Sequence, residues 1–293
     1  MSKVILLFLV IFFLCFPAYA LEWKELHEQA DALDIGSAVK LSGNNPESVD
    51  DLYKLGLVYL NIHQDIQAND AFSKILLLKP GLIQARWGQA ESLRRQHNLN
   101  QAESLLKQII VENADFSPAY ISLAYIKYMQ MDFEESVRLA LKVIQQGRDK
   151  VDLSNYARAY SMYAGAKGMI AHYGGPFSKA VNGLAVKPNL DKAAKLQPDA
   201  AGVLFGLGSY YLLAPALAGG DKIKAEVYLK KAIAADPLFA DIYVRLAQLY
   251  KIKGDKEKYG GYLAKALEID PGNELALDTQ SGKCKFICTG GKD

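Results

Sequence analysis

Two histidines and a methionine recur at one spacing, because His63, His97 and Met131 follow one another at intervals of 34 residues. Imidazole nitrogen and thioether sulfur both bind transition metals, so this ladder is a candidate metal site. Successive units of a helical repeat stack about 10 Å apart, whereas a metal ion needs its ligands at about 2 Å. One ion therefore does not bridge them, and we interpret them as exposed turn residues. His172 has no identified carboxylate or cysteine partner, and we interpret it as a loop residue.

Two cysteines, Cys284 and Cys288, stand close together near the end of the chain. Their C-x-x-x-C spacing differs from the C-x-x-C of redox-active pairs, and further ligands for a zinc site are missing. In an oxidising compartment the two thiols could join in a local disulfide. Such a disulfide would stabilise the fold only slightly because the loop it closes is so small. The sequence leaves open whether they are bonded.

Catalytic motifs are missing from the sequence. It contains no Gly-rich phosphate loop, no nucleophile elbow and no H-E-x-x-H. Carboxylates are plentiful, but no pair stands out from a solvated helix face. We therefore predict that the protein is not an enzyme and uses no cofactor.

The prolines indicate which elements position these side chains. Pro46 and Pro80 are 34 residues apart, as are Pro237 and Pro271. A 34-residue period is typical of stacked helical hairpins. The two intervals share a pattern of large and small residues, which are Leu52, Leu55, Gly56, Tyr59, Ala68 and Phe72 in the first and Tyr243, Leu246, Ala247, Tyr250, Tyr259, Leu263 and Ala266 in the second.

This pattern resembles the tetratricopeptide repeat, whose small residues let two helices pack closely while large residues fill the gaps between hairpins. The resemblance implies an all-α fold, a right-handed superhelical solenoid of antiparallel helix pairs, and a binding scaffold rather than a catalyst. Regular units are expected at 49–82, 83–116, 117–150 and 240–273. A shortened unit at 21–46 is expected to cap the stack, and a short helix near 274–278 to close it.

The N-terminal segment has the features of a secretory signal. Lys3 is its only charge, an apolar run follows at 4–16, and small residues lead to Ala20. We predict a signal peptide at 1–20 cleaved after Ala20, a solenoid domain at 21–279 and a C-terminal tail at 280–293. The mature chain would then be periplasmic, without a membrane span. Its 33 basic and 32 acidic residues give no indication of nucleic-acid binding.

Two insertions break the repeat period. The interval from Arg148 to Pro198 is 50 residues, about sixteen more than the period, and we expect 172–188 to interrupt the helices there. The interval from Pro198 to Pro237 is 39 residues, and 214–220 delays the second helix by about five. Asp221 then suits an N-cap. Both insertions replace a turn within a hairpin, so we predict a joint lobe beside the binding site, with Tyr173, Phe177 and Pro215 as its apolar contacts.

The first helix of each hairpin is expected to line a concave groove. An aromatic groove with a local arginine pair suits an extended peptide, an amphipathic helix or a hydrophobic ligand. A tightly wound superhelix could instead bury the same residues as core. The groove residues predicted from the repeat register are Tyr53, Leu57, Trp87, Arg94, Arg95, Tyr125, Tyr128 and Phe205.

Residues 210–225 resemble a segment of the T-components of TRAP transporters, through Pro215, Gly219, Gly220, Asp221 and Lys224. Those are periplasmic helical-repeat proteins thought to bind hydrophobic ligands together with a substrate-binding partner. A helix stop, a glycine turn and an Asp cap explain the same residues without that function. The favoured hypothesis is an exported scaffold for a protein or peptide partner, and the alternative is a transporter-associated binder of a small hydrophobic ligand.

Overall fold

The computed structural model describes residues 22–287, which form fifteen α-helices, one short 3-10 helix and no strand. The predicted signal peptide at 1–20 and the end of the predicted tail lie outside the described residues. None of the described helices is long and apolar enough to cross a membrane. The helices are α1 (Trp23–Asp31), α2 (Ile35–Asn44), α3 (Val49–Asn61), α4 (Asp65–Leu78), α5 (Ile83–Arg95), α6 (Leu99–Glu112), α7 (Ser117–Met129), α8 (Phe133–Gln146), α9 (Leu153–Tyr173), α10 (Pro176–Leu196), α11 (Ala201–Leu213), α12 (Lys222–Ala235), α13 (Ala240–Ile252), α14 (Lys256–Ile269) and α15 (Glu274–Ser281).

Six antiparallel hairpins, from α3–α4 to α13–α14, stack in chain order. The second helix of one hairpin packs on the first helix of the next, and successive first helices also touch. Each element therefore contacts its near neighbours in sequence, as expected of a solenoid. The all-α solenoid prediction is confirmed, and the short closing helix is α15.

Glycine and phenylalanine make the closest crossing in the first regular repeats. A Cβ on Gly56 would lie 2.5 Å from the Phe72 ring, and one on Gly88 would lie 2.4 Å from the opposite edge of that ring. The Phe72 side chain is fully buried between these two glycines. Helices α3 and α5 thus approach the same ring of α4 because neither presents a side chain there.

The first insertion is not the irregular segment that the sequence predicted. Helix α9 continues to Tyr173 and α10 starts at Pro176, so only Gly174 and Gly175 separate two helices of 21 residues each. Pro188 lies inside α10, where its ring removes one backbone donor from the helix. The extra residues therefore lengthen a hairpin, so the predicted lobe is not built from two irregular loops.

The second insertion is a compact turn, as predicted. The Tyr210 hydroxyl donates to the Ala218 carbonyl, and the Asp221 side chain accepts hydrogen bonds from the backbone N–H groups of Ile223 and Lys224. A Cβ on Gly220 would lie 1.9 Å from the Ala214 oxygen, so only glycine fits there. Turn geometry and helix capping therefore account for the residues that resemble the transporter segment.

Both helices of the N-terminal unit pack on α3, and one of them also reaches later repeats. Helix α1 packs chiefly on α3. A hydrogen bond of 2.8 Å joins His27 Nε2 to the Tyr53 hydroxyl. Trp23 stands edge-on to Phe116, two repeats further along. Lys24 reaches the Asp149 carbonyl in the loop before α9. Helix α1 thus lies across the concave side, and α2, which packs on the outer end of α3, takes the capping position.

The winding brings distant repeats together. The His63 side chain lies 2.8 Å from the Asp236 carboxylate, and the His97 side chain lies 2.9 Å from that of Asp270. Both histidines and Met131 have positive φ angles near 60°, as turn residues that end the first helix of a hairpin. The interpretation of these residues as turns is confirmed, but His63 is half-buried against Asp236 and not fully exposed. Two of the three residues join the first regular repeats to the last.

Candidate functional site

The concave side of the solenoid forms a partly open cavity of about 2050 Å³. Its wall combines residues of α3, α5 and α7, of the long hairpin α9–α10, and of α11, α13 and α15. Pockets for small molecules measure roughly 300–1,000 Å³. The cavity is therefore large enough for a peptide segment as well as for a small ligand.

Seven of the eight predicted groove residues lie on this wall, and Tyr53 is the exception. Tyr53 is 1% exposed because α1 covers it. Leu57 and Trp87 reach the wall but are almost fully buried. The prediction that Tyr53 faces an open groove is wrong. The wall residues among those predicted are Leu57, Trp87, Arg94, Arg95, Tyr125, Tyr128 and Phe205.

A buried carboxylate organises the charged part of the wall. Arg94 donates from Nε to one oxygen of Glu91 at 3.0 Å and from Nη2 to the other at 2.5 Å. Ser122 Oγ donates to Glu91 at 2.8 Å and itself accepts from the Trp87 indole at 3.1 Å. Burial alone would raise the pKa of Glu91, but the charges of Arg94 and Arg95 and these hydrogen bonds lower that pKa to about 2. Glu91 is thus ionised and fixes the Arg94 side chain.

Arg94 in turn holds an aromatic ring. Its guanidinium carbon lies 4.4 Å from the centroid of the Tyr125 ring, within the range of a cation–π contact. Burial, together with the nearby Asp241 carboxylate, raises the pKa of the Tyr125 hydroxyl. Asp241 belongs to α13, so Tyr125 lies between the early and late repeats. The wall here presents a neutral phenol and a fixed guanidinium.

Two carboxyl groups of the late repeats have raised pKa values, whereas the pKa of Glu91 is lowered. Burial raises the pKa of Asp241, although Asn273 donates to it at 2.6 Å. Burial also raises the pKa of Glu274. Both groups line the cavity. A cationic group bound beside them would stabilise their ionised forms.

The chain's own C-terminal segment occupies another part of the wall, which the sequence did not predict. The Phe286 ring is 3% exposed and stacks on Tyr128 with 5.9 Å between ring centroids. Arg245 is 4% exposed and binds main-chain carbonyls of this segment. The sequence signal for this contact is an arginine in the middle of helix α13, between apolar residues on both sides.

The three residues of the predicted lobe take different places. Tyr173 stacks on Phe133 with 6.1 Å between centroids, and its hydroxyl donates to the Lys285 carbonyl at 2.6 Å. Pro215 is exposed at the edge of the cavity. Phe177 is 83% exposed. The structure therefore brings Tyr173 to the C-terminal segment and leaves Phe177 in solvent.

The remaining reactive side chains are histidines and cysteines. Within residues 22–287, no group of three or more His, Cys, Asp or Glu side chains is placed to hold a metal ion. His172 is exposed at the end of α9 and belongs to the helix, not to a loop. The pairing of Cys284 with Cys288 stays a prediction, because Cys288 lies outside the described residues.

Solved structures share this fold. A tetratricopeptide repeat protein from Parabacteroides merdae is 14% identical, and the match covers 88% of this chain and 96% of that one with a TM-score of 0.52. The Cut9–Hcn1 complex of the APC/C matches at 18% identity over 88% of this chain and 47% of the other, with a TM-score of 0.52. Pseudomonas aeruginosa pilF matches at 15% identity over 82% and 99%, with a TM-score of 0.46.

No protein-family model matches the sequence, and no curated protein matches it at a significant level. The identities to the solved structures are all below 25%, so these similarities show the fold alone. The chain has the tetratricopeptide-like fold that its 34-residue period predicted.

Proposed function

We propose that the protein is a scaffold that binds a peptide segment of a protein partner on its inner surface. The observation that carries the proposal is the cavity of about 2050 Å³, whose wall joins aromatic rings to fixed charges. Tyrosine and arginine are enriched among the residues that dominate binding energy at interfaces. Glu91 holds the Arg94 side chain in place, and Arg94 contacts the Tyr125 ring, before a partner binds. Such preorganisation reduces the entropy lost on binding.

The charged groups on the wall favour a peptide over a purely apolar ligand. A peptide main chain offers a donor and an acceptor at every residue, and the guanidinium and carboxyl groups on the wall can use both. Asp241 and Glu274 additionally favour a partner that carries a lysine, an arginine or a free amino group. A hydrophobic ligand would leave these polar groups without partners at a cost in free energy.

The proposal includes export to the periplasm, and its support is the sequence of residues 1–20. If the segment is a signal peptide, protein purified from the periplasmic fraction begins at Leu21. N-terminal sequencing measures this directly. A chain that retains Met1 in the cytoplasmic fraction would contradict export and leave the binding proposal standing.

Site-specific photo-crosslinking in intact cells tests partner binding. A photoreactive amino acid replaces Phe205, which lies on the cavity wall, and the matched control replaces Leu77, which is 84% exposed on α4. We expect a covalent adduct with one partner through position 205 and not through position 77. The Tyr125→Ala substitution should reduce that adduct at least tenfold while the protein stays folded.

The absence of an adduct through position 205 would overturn the proposal, provided the protein is folded and present at its normal level. Equal adducts through positions 205 and 77 would also overturn it, because they would indicate non-specific contact. Mass spectrometry of the crosslinked peptide shows whether the bound species is a protein or a small molecule.

A further inference from the structure

Residues 283–287 pack on the inner surface of the solenoid through Phe286, while Lys283 and Lys285 are exposed, and the segment is held through its main chain. Arg245 donates from Nη1 to the Ile287 carbonyl at 3.0 Å and from Nη2 to the Phe286 carbonyl at 3.2 Å. The Phe286 N–H donates to the Asp278 carboxylate at 3.0 Å. Tyr173 donates to the Lys285 carbonyl at 2.6 Å. Three side chains from α9, α13 and α15 thus bind four main-chain atoms of three consecutive residues.

The side chain of Phe286 enters a pocket of its own. Its ring stacks on Tyr128 at an interplanar angle of 14°. It also belongs to an apolar cluster with Phe133, Met169 and Tyr243. We call this pocket, together with Tyr173, Arg245 and Asp278, the tail site. Hydrogen bonds to main-chain atoms do not distinguish one peptide sequence from another. The aromatic pocket is therefore the part of the tail site that selects its occupant.

Arg245 and Asp278 attract each other electrostatically, but each of them hydrogen-bonds the segment and not the other. Arg245 is 4% exposed, and its hydrogen-bond partners are Gln248 Oε1, at 2.8 Å, and the two carbonyls of the segment. Its Nε has no hydrogen-bond partner among the described residues. Asp278 is 6% exposed, and its second oxygen is likewise unpartnered there. A guanidinium that is buried without a carboxylate on it is costly unless its donors are used by a ligand.

The occupying segment is itself in an unfavourable conformation. Cys284 and Ile287 both have left-handed backbone angles, with φ of 56° and 60°. A β-branched residue such as isoleucine is rarely found in that region because its side chain clashes with the backbone. The segment follows α15 after a single residue, Gly282, so the covalent chain limits how it can reach the site. A peptide that is not tethered to α15 avoids this constraint.

We propose that the tail site is a peptide-binding site for a partner segment with an aromatic residue, and that residues 283–287 occupy it in cis until such a segment displaces them. The inference rests on the proposed function and names one class of partner for it. The aromatic ring of the partner takes the place of Phe286 on Tyr128. Its main chain takes the hydrogen bonds of Arg245, Asp278 and Tyr173. The tail then leaves the interior.

Fluorescence anisotropy with a labelled peptide tests the proposal. The probe has the sequence of residues 283–287 with the change Cys284→Ser and an amidated end, and a second probe also carries Phe286→Ala. Full-length protein with Phe286→Ala should bind the first probe at least tenfold more tightly than the unaltered protein does. The second probe should bind that variant at least tenfold more weakly. A Phe177→Ala protein, which alters an 83% exposed phenylalanine, should behave as the unaltered protein.

The proposal is overturned if the folded Phe286→Ala protein binds neither probe, or binds both equally. Because this substitution could unfold the protein, hydrogen exchange of the unaltered protein supplies a second measurement. An excess of the first probe should speed exchange in residues 282–287, and unchanged exchange there overturns the proposal. Crosslinking through Phe205 is independent of the tail, so a partner captured there would survive the failure of this inference.

Discussion

At the scale of single residues, the Glu91 carboxylate fixes the charged side chains of the cavity wall. It is 9% exposed and carries hydrogen bonds from Arg94 and Ser122. These contacts connect α5 to α7 and hold the guanidinium over Tyr125. A buried carboxylate of this kind stabilises the fold only while it is ionised, because its partners are then satisfied.

The Glu91→Gln substitution should lower the free energy of unfolding at pH 7 by about 3 kcal/mol, which is the equivalent of lowering the pKa of Glu91 from 4.5 to about 2. A lowered pKa means that the stabilisation is complete above pH 4.5 and is lost as the pH falls towards 2. The variant should therefore show a flatter pH dependence in this range. Urea titrations between pH 2 and pH 7 measure it, with Glu47→Gln in an exposed loop as the control. Equal pH dependence in both variants would show that Glu91 is not coupled to Arg94.

At the scale of helices, the closeness of α3, α4 and α5 depends on the absence of side chains at two positions. The Phe72 ring fills the space that a Cβ on Gly56 or Gly88 would occupy. A repeat built in this way tolerates few changes of volume, since protein interiors are packed as densely as organic crystals. The regularity of the first repeats is thus a property of matched pairs on neighbouring helices.

The Gly56→Leu substitution should destabilise the protein by about 1–3 kcal/mol, because the new side chain overlaps the Phe72 ring. The matched control is Gly261→Leu in α14, where a Cβ meets no atom within 4 Å. That change should be neutral or stabilising, since leucine favours a helix over glycine. Thermal unfolding of the two variants makes the comparison. If the Gly56→Leu and Gly261→Leu proteins had the same melting temperature, the assigned helix crossing would be contradicted.

At the scale of the whole molecule, the solenoid winds until its two ends meet. The His63–Asp236 and His97–Asp270 contacts each join residues 173 positions apart, at equivalent places in successive repeats. One repeat period therefore separates the two contacts on both sides. Together with the interior placement of α1 and of Phe286, this closure turns an open groove into a cavity.

Placing carboxylates at both histidines should open the molecule. In the double variant His63→Glu/His97→Glu, each attractive contact becomes a repulsion of like charges, a change on the order of 1 kcal/mol per site. The control is His63→Asn/His97→Asn, since asparagine accepts the left-handed turn conformation without a charge. Small-angle X-ray scattering should give a larger radius of gyration for the glutamate variant alone. Equal radii would mean that the closure does not depend on these pairs.

The sequence by itself determined the repeat and most of its consequences. The 34-residue period, the Gly56–Phe72 pairing and the Asp221 cap are local features, which depend on contacts between neighbouring helices. Such contacts recur in every unit, so the same packing pattern appears several times in one sequence. For that reason the hairpins, the turn at 214–220 and seven of the cavity residues could be predicted.

Only the tertiary structure decided what fills the inner surface and where the ends of the chain lie. Residues 172–188 carry glycines and two prolines that favour an interruption, but α9 and α10 pack on each other and leave only Gly174 and Gly175 outside the helices. Helix α1 covers Tyr53, and Phe286 covers Tyr128, through contacts between residues far apart in sequence. Such contacts depend on the accumulated rotation of all the hairpins between them, which no single repeat encodes. A small rotation per repeat, summed over the solenoid, converts the predicted groove into a cavity that the chain itself partly occupies.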